Sequence, residues 1–331
     1  MGHLRLNLNL LIRATIPCMR PRFQWHLGSR SLALGERTLV MGVLNVTPDS
    51  FSDGGRFFSP DEAVAHGLAL LEEGADILDI GGESTRPGAA TAASRGPALA
   101  GAVTADEELA RVLPVIEAIR RERPAAVLSI DTYKARVARE AVRAGVEIVN
   151  DVSGFTWDEE MAGTVADAGC GAILMHSRGL PHEWRTQAAA QDIVGLVAKE
   201  LRGRITDALA RGISRSALVL DPGFGFGKNL DENYPLLAHF GEFHALGFPL
   251  LAAASRKSFL GHTVAVRLGE LGGAHGTQSA TLPPDARDTA TLAATVAAAL
   301  AGAHIVRVHA VRKAVEALAV ADAILRSSAM E

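Results

Sequence analysis

AAVLSIDTYKARVAREAVRAGVEIVNDVSG, residues 125–154, holds a strand, a helix and a second strand in thirty residues. AAVLSIDT and VEIVNDVSG are short runs of Val, Ile, Leu and Ala without polar alternation, the pattern of parallel strands buried on both faces. TYKARVAREAVRAG between them reads as a helix. Each strand ends on polar residues, Asp131 in the first and Asn150 with Asp151 in the second.

The same unit recurs along the chain. TLVMGVLNV, ADILDIGG, GAILMHS, ALVLDPG, PLLAAASR and AHIVRVHA bring the strands to eight. Helix-like segments separate them. SPDEAVAHGLALLEEGA has Ser59 as an expected N-cap, Pro60 at the first helical position, and a close at Gly74. Eightfold alternation predicts either a closed (β/α)8 TIM barrel or a doubly wound open sheet. The barrel is favoured because polar residues gather at the C-terminal ends of many strands rather than at one switch point. FQWHLGSRSLALGE, Phe23–Glu36, predicts a β-hairpin ahead of the barrel. Residues 1–20 are expected to be a disordered extension and residues 21–331 a single domain. Two stretches, Ala90–Val103 and Gly261–Pro284, read as long loops, the second with room for a short helix.

Composition narrows the function. Hydrophobic residues make up 48% of the 331 and charged residues 21%, the profile of a globular chain with a large core. A net charge of -4 provides no overall field for nucleic acid or an anionic membrane. No apolar run approaches the roughly 20 residues of a bilayer span. Cys18 and Cys170 lack metal or redox spacing, which suggests a reducing, cytoplasmic setting.

The strand ends offer two kinds of group. Asp131, Asn150 and Asp221 suit the edge of a flat heterocycle, carboxylates accepting N–H bonds and an amide matching a ring nitrogen or carbonyl. The bland reading, in which each carboxylate caps the following helix, holds better for one residue than for three at equivalent positions. Arg86, Arg256, Lys257, Arg307 and His309 form a cationic set. Arg307 and His309 lie two apart and point to one side of the last strand; with Thr85 and Asn45 they could hold a phosphate or diphosphate. Asn45 with phosphate oxygens would suit Mg2+, a hard cation that shares oxygen ligands with substrate. His176 and Met175 read as core or pocket wall. LDPGFGFGKN, Leu220–Asn229, lacks phosphate-loop spacing; its glycines allow the backbone and a phenylalanine to approach a flat ligand.

Together GVLNVTPDSFSDGG, DIGGESTRPGA, SIDTYK, IVNDVSG, LMHSRG, LDPGFGFGKN, SRKSFLG and HIVRVH resemble the motifs of the dihydropteroate synthases, in order from Leu39 to His309. The resemblance implies a folate-pathway transferase that condenses 6-hydroxymethyl-7,8-dihydropterin diphosphate with 4-aminobenzoate, using Mg2+, as a homodimer. It implies a pterin site of Asp131, Asn150, Val152, Met175, Asp221, Phe226, Lys257 and Arg307. Asn45, Thr85, Arg86, Arg307 and His309 would hold the diphosphate, with Asn45 on the metal. Phe51, Thr85, Arg86, Pro87, Lys257 and Ser258 would enclose 4-aminobenzoate. Asp53, Lys257 and Asp131 would be catalytic in an SN1-like reaction, Asp53 facing the developing cation. Three features depart from the pattern: Ser177 replaces a larger residue, Ala310 an Asp, and residues 90–103 lengthen a loop. Two other readings are a methyltetrahydrofolate-binding domain of a corrinoid methyltransferase and a catalytically silent pterin-binding paralogue. Neither explains the SFSDGG, STRPG and RKS segments occurring together.

Overall fold

The computed structural model describes residues 20–47, 59–85, 91, 102–271 and 281–328. The eight strands read from sequence form one parallel barrel: β3 (Leu39–Asn45), β4 (Ile77–Gly81), β5 (Val127–Asp131), β6 (Ile148–Asp151), β7 (Gly171–Met175), β8 (Leu218–Asp221), β9 (Leu251–Ala252) and β10 (Ile305–Val308). Each pairs with its sequence neighbour, and β10 pairs with β3. A parallel bridge between Leu220 and Leu250, with Leu220 N–H donating to the Pro249 carbonyl at 2.9 Å, closes the circle between β8 and β9.

Because side chains alternate across a strand, each run supplies both faces. Val40, Leu44, Leu78, Ile80, Leu128, Ile130 and their equivalents point outward into the layer shared with the helices. Met41, Ile77, Val127, Ile148, Ile173, Val219, Leu251 and Ile305 point inward and fill the lower barrel. Alternation by burial cannot appear in the sequence, since both faces are apolar there.

The helices follow from local signals. In α1 (Pro60–Glu72), Ser59 Oγ accepts from Glu62 N–H, and Gly74 turns the chain out with φ of +104°. In α2 (Ala105–Glu122), Thr104 and Glu107 cap each other reciprocally. The rest are α3 (Ala135–Arg143), α4 (Met161–Ala168), α5 (Ile193–Ala210), α6 (Asn233–Ala238), α7 (Ser258–Leu271), α8 (Asp288–Leu300) and α9 (Val311–Ser328). Helix α7 bears out the short helix allowed within Gly261–Pro284 and lengthens it, since the first eleven residues of that stretch are helical. Gly261 suggested a loop, but it lies in the first turn of α7 where a side chain would press on Arg287 and Thr281. The glycine serves close packing rather than a break.

The hairpin forms as expected, β1 (Phe23–His26) pairing antiparallel with β2 (Ser31–Leu34). It seals the N-terminal end of the barrel: Trp25 is fully buried against the lower core, its Nε1 donating to the Ala217 carbonyl at 2.8 Å. Residues 1–19 of the expected extension lie outside the described residues. Arg20 is buried and donates to Thr38, the Ala299 carbonyl and Asp322. With the lower end plugged, the C-terminal end is left to carry chemistry.

Candidate active site

Above the apolar layer the barrel interior turns polar. Arg307 on β10 donates through Nε to Asp79 Oδ2 on β4 and through Nη2 to Asp131 Oδ2 on β5, both at 2.6 Å. Asn150 on β6 donates from Nδ2 to the same Asp79 oxygen at 3.0 Å. Four strands' worth of side chains thus converge on one plane. Burial opposes charge on Arg307, but Asp79 and Asp131 outweigh it and raise its pKa further. Burial also raises Asp131, against the pull of Arg307.

The helix-cap reading of Asp131 fails. The first turn of α3 is served instead by Asp158, whose Oδ2 accepts from Ala135 N–H at 2.8 Å. The two acids read together at the end of β6 are separated by the strand's alternation. Asn150 faces inward, while Asp151 accepts from Ser153 and Phe155 N–H groups in the loop beyond.

Opposite, the loop after β8 brings Asp221, Phe226 and Lys257 together. Asp221 Oδ1 accepts from Gly223 N–H at 2.7 Å, and burial raises its pKa to about 6 despite that bond and the nearby lysines. Lys257 Nζ lies 3.8 Å from the centre of the Phe226 ring. Burial, then Arg307, lowers Lys257 to about 7 against the carboxylates of Asp221 and Asp131, so its proton is loosely held at neutral pH. Phe226 also packs edge-on against Trp184, and Val152, Met175, Tyr133 and Trp157 complete an apolar wall.

The wall's three extra aromatic residues, Tyr133, Trp157 and Trp184, were missed in the sequence because they lie in loops beyond the strand ends. Lys228 was missed too. Its buried ammonium donates to the carbonyls of Gly223 at 2.7 Å, and of His176 and Phe226 at 3.2 Å, tying the glycine loop in place. Its position in GFGFGK was the available signal.

Near the same mouth, His309 shares a hydrogen bond with Ser255 Oγ at 2.9 Å. Burial, followed by the charges of Arg307, Arg256 and Lys257, lowers His309 to about 3 and leaves the ring neutral. Asn45 ends β3 beside Gly81. Ser258 opens α7 directly after Lys257, and Thr85 is half-buried beyond β4. Phe51, Asp53, Arg86 and Pro87 lie outside the described residues.

One member of the cationic set and two neighbouring polar groups are used elsewhere. Arg256, with a left-handed φ of +57°, turns away to pair with Asp285 and Asp288, both at 2.9 Å. Glu83 joins Glu108 on the buried ammonium of Lys134 and accepts from Tyr133 Oη at 3.1 Å. His176 belongs to the outer core, where Nε2 meets Glu200 at 3.0 Å. Among the described residues no three His, Cys, Asp or Glu side chains gather as a metal site, and no helix is long and apolar enough to cross a membrane.

The family of pterin binding enzymes matches residues 41–309, a span that begins on β3 and ends at His309. A dihydropteroate synthase of Mycobacterium leprae is 45% identical over 87% of this chain and 94% of its own length. That of Escherichia coli K12 is 41% identical over 86% and 91%.

The chain belongs to the dihydropteroate synthases.

Solved synthases share the fold. The Xanthomonas albilineans dihydropteroate synthase with 4-aminobenzoic acid superposes with a TM-score of 0.76 at 42% identity, covering 92% of this chain and 98% of that one. The same synthase in complex with 7,8-dihydropteroate gives 0.73 at 40% identity, over 92% and 98%. As a dihydropteroate synthase, this transferase of folate biosynthesis needs a slot for a planar ring beside an anion site. Asp131, Asn150, Asp221 and Lys257 lie around the Phe226 wall, with Arg307 and His309 beside them.

Proposed function

We propose that this synthase joins 6-hydroxymethyl-7,8-dihydropterin diphosphate to 4-aminobenzoate, releasing diphosphate and 7,8-dihydropteroate. The observation that carries the reading is the convergence of Asp131, Asn150, Asp221 and Lys257 on one apolar-walled slot. Carboxylates and an amide there match a ring edge rich in N–H groups, Lys257 serves a ring acceptor, and Val152, Met175 and Phe226 hold the ring's faces. Arg307 lies against the ring, half-buried and kept charged by its two carboxylates.

Asn45, Thr85, Arg86, Arg307 and His309 hold the diphosphate in this reading. Neutral His309, fixed by Ser255, donates to an oxygen without adding charge. Asn45 supplies an amide oxygen of the hard kind Mg2+ prefers, and the remaining ligands come from substrate oxygens. Bound there, Mg2+ would neutralise charge on the leaving group. Phe51, Thr85, Arg86, Pro87, Lys257 and Ser258 enclose 4-aminobenzoate.

The reaction is SN1-like. The bond between the pterin methylene carbon and the diphosphate oxygen breaks first, its electron pair leaving with diphosphate. Asp53, Asp131 and the other carboxylates stabilise the cationic methylene, and the neutral arylamine adds to it and loses a proton. No nucleophilic residue is required. A cytoplasmic homodimer is part of the same proposal, supported by the resemblance.

The deciding experiment mixes purified protein, Mg2+, the pterin diphosphate and 4-aminobenzoate and follows dihydropteroate. Product that depends on both substrates supports the reading. Folded protein that forms none refutes it.

A further inference from the structure

We propose that Asp79 is a positioning residue for the reaction, one whose carboxylate sets the orientation of two ring-facing side chains without itself reaching the ring. This rests on the function proposed above. A single oxygen, Asp79 Oδ2, accepts from Arg307 Nε at 2.6 Å and from Asn150 Nδ2 at 3.0 Å. The two donors come from β10 and β6, strands on opposite sides of β4, and no other described hydrogen bond holds the Asn150 side chain.

The alternative, that Asp79 only stabilises the barrel, conflicts with its surroundings. Asp79 is fully buried one layer above Ile77, in an interior that is otherwise apolar below it. Its second oxygen, Oδ1, has no hydrogen-bond partner among the described residues. A buried carboxylate with one idle oxygen is expensive, and apolar side chains of similar size in place of Asp79, Arg307 and Asn150 together would serve stability at least as well. What the carboxylate adds is direction. Nε of Arg307 is held toward β4, which leaves its Nη2 on Asp131 and the guanidinium plane fixed. Asn150 is held by one N–H, which leaves its Oδ1 and second N–H turned to the slot.

Asp79→Asn keeps the shape and removes the charge. Loss of a charge-assisted bond at each of two ring-facing groups should weaken binding of the dihydropterin diphosphate about tenfold to a hundredfold, measured by calorimetry without 4-aminobenzoate. KM for 4-aminobenzoate should change less than about twofold, because among the described residues Asp79 bonds only to Arg307 and Asn150, neither of them assigned to that substrate. In an Asn150→Ala background the same substitution should cost less, since one of its two dependents is gone. Unchanged pterin affinity, an equal rise in both constants, or a fully additive double variant would overturn the proposal. Should Asp79→Asn fail to fold, Asp79→Ser is measured the same way, and failure of both assigns the residue to stability and overturns it. Wild-type protein that binds no pterin would instead refute the parent reading.

Discussion

Arg307 on the last strand of the barrel meets Asp131 on the third across the lumen, Nη2 to Oδ2, at 2.6 Å. The strands that carry them are separated by β3 and β4, so this contact spans the interior rather than following the sheet. Replacing Arg307 with Met would leave Asp79 and Asp131 buried without their cation. Urea unfolding at pH 8 should show a loss of about 3–5 kcal/mol. The loss should shrink at pH 5, where the stranded Asp131, which burial raises to about 7, can take up a proton. An equal loss at both pH values would show that the guanidinium serves by packing alone.

Lys257→Ala and Asp221→Asn test the other side of the slot. Each removes one group assigned to the ring in the proposed function, Asp221 buried and Lys257 half-buried, and each should weaken pterin binding by about 1.5–3 kcal/mol in calorimetry. Lys257→Ala also strips the cation from the Phe226 face, so it should be the more damaging of the two. Unaltered affinity in both variants would remove these residues from the pterin site.

At the plugged end of the barrel, His304 accepts from Leu250 N–H through Nδ1 at 3.0 Å and meets the Pro21 carbonyl through Nε2 at 2.8 Å. Both ring nitrogens are committed, and burial lowers the pKa from 6.5 to about 3. A histidine held neutral in the fold contributes stability that is present above the unfolded pKa and is lost as pH falls toward the folded one. His304→Gln can reproduce both bonds without titrating. The stability of wild type relative to this variant should therefore fall by about 2 kcal/mol between pH 7 and pH 5, read from denaturant midpoints. A constant difference would mean that His304 takes up its proton in the fold as readily as in the unfolded chain.

What the sequence disclosed and what it hid divide along the length of each strand. The eight apolar runs and their polar ends were legible because parallel barrel strands are apolar on both faces and stop abruptly at the site. Asp131, Asn150 and Asp221 were visible for that reason. Asp79 could not be given a role from the sequence, because its importance lies in Arg307 and Asn150, which are 228 and 71 residues away. Arg256 was misread because its sequence position beside Lys257 says nothing of a backbone turned left-handed, which sends neighbouring side chains apart. Tyr133, Trp157 and Trp184 became a wall only once three separate loops were folded over the same mouth. Helix α7 was obscured by glycine, whose use in tight packing and in loops looks the same in one dimension.

Gly223 and Gly225 allow the glycine loop to be tested by position. Both have left-handed backbones, with φ of +69° and +79°. A Cβ on Gly223 would overlap the His176 carbonyl oxygen, which is backbone and cannot yield, whereas one on Gly225 would sit 3.3 Å from Cδ of the flexible Lys257 side chain. Gly223→Ala should cost about 3 kcal/mol or more, from left-handed strain plus overpacking. Gly225→Ala should cost about 1–2 kcal/mol, the strain alone. Their effects on the ligand should run the other way relative to stability. Gly225→Ala pushes on Lys257 directly, so its pterin affinity should fall more than its stability does. Urea midpoints and calorimetry on the two variants give both orders, and a Gly225→Ala protein that binds pterin normally would show that Lys257 can move aside without loss.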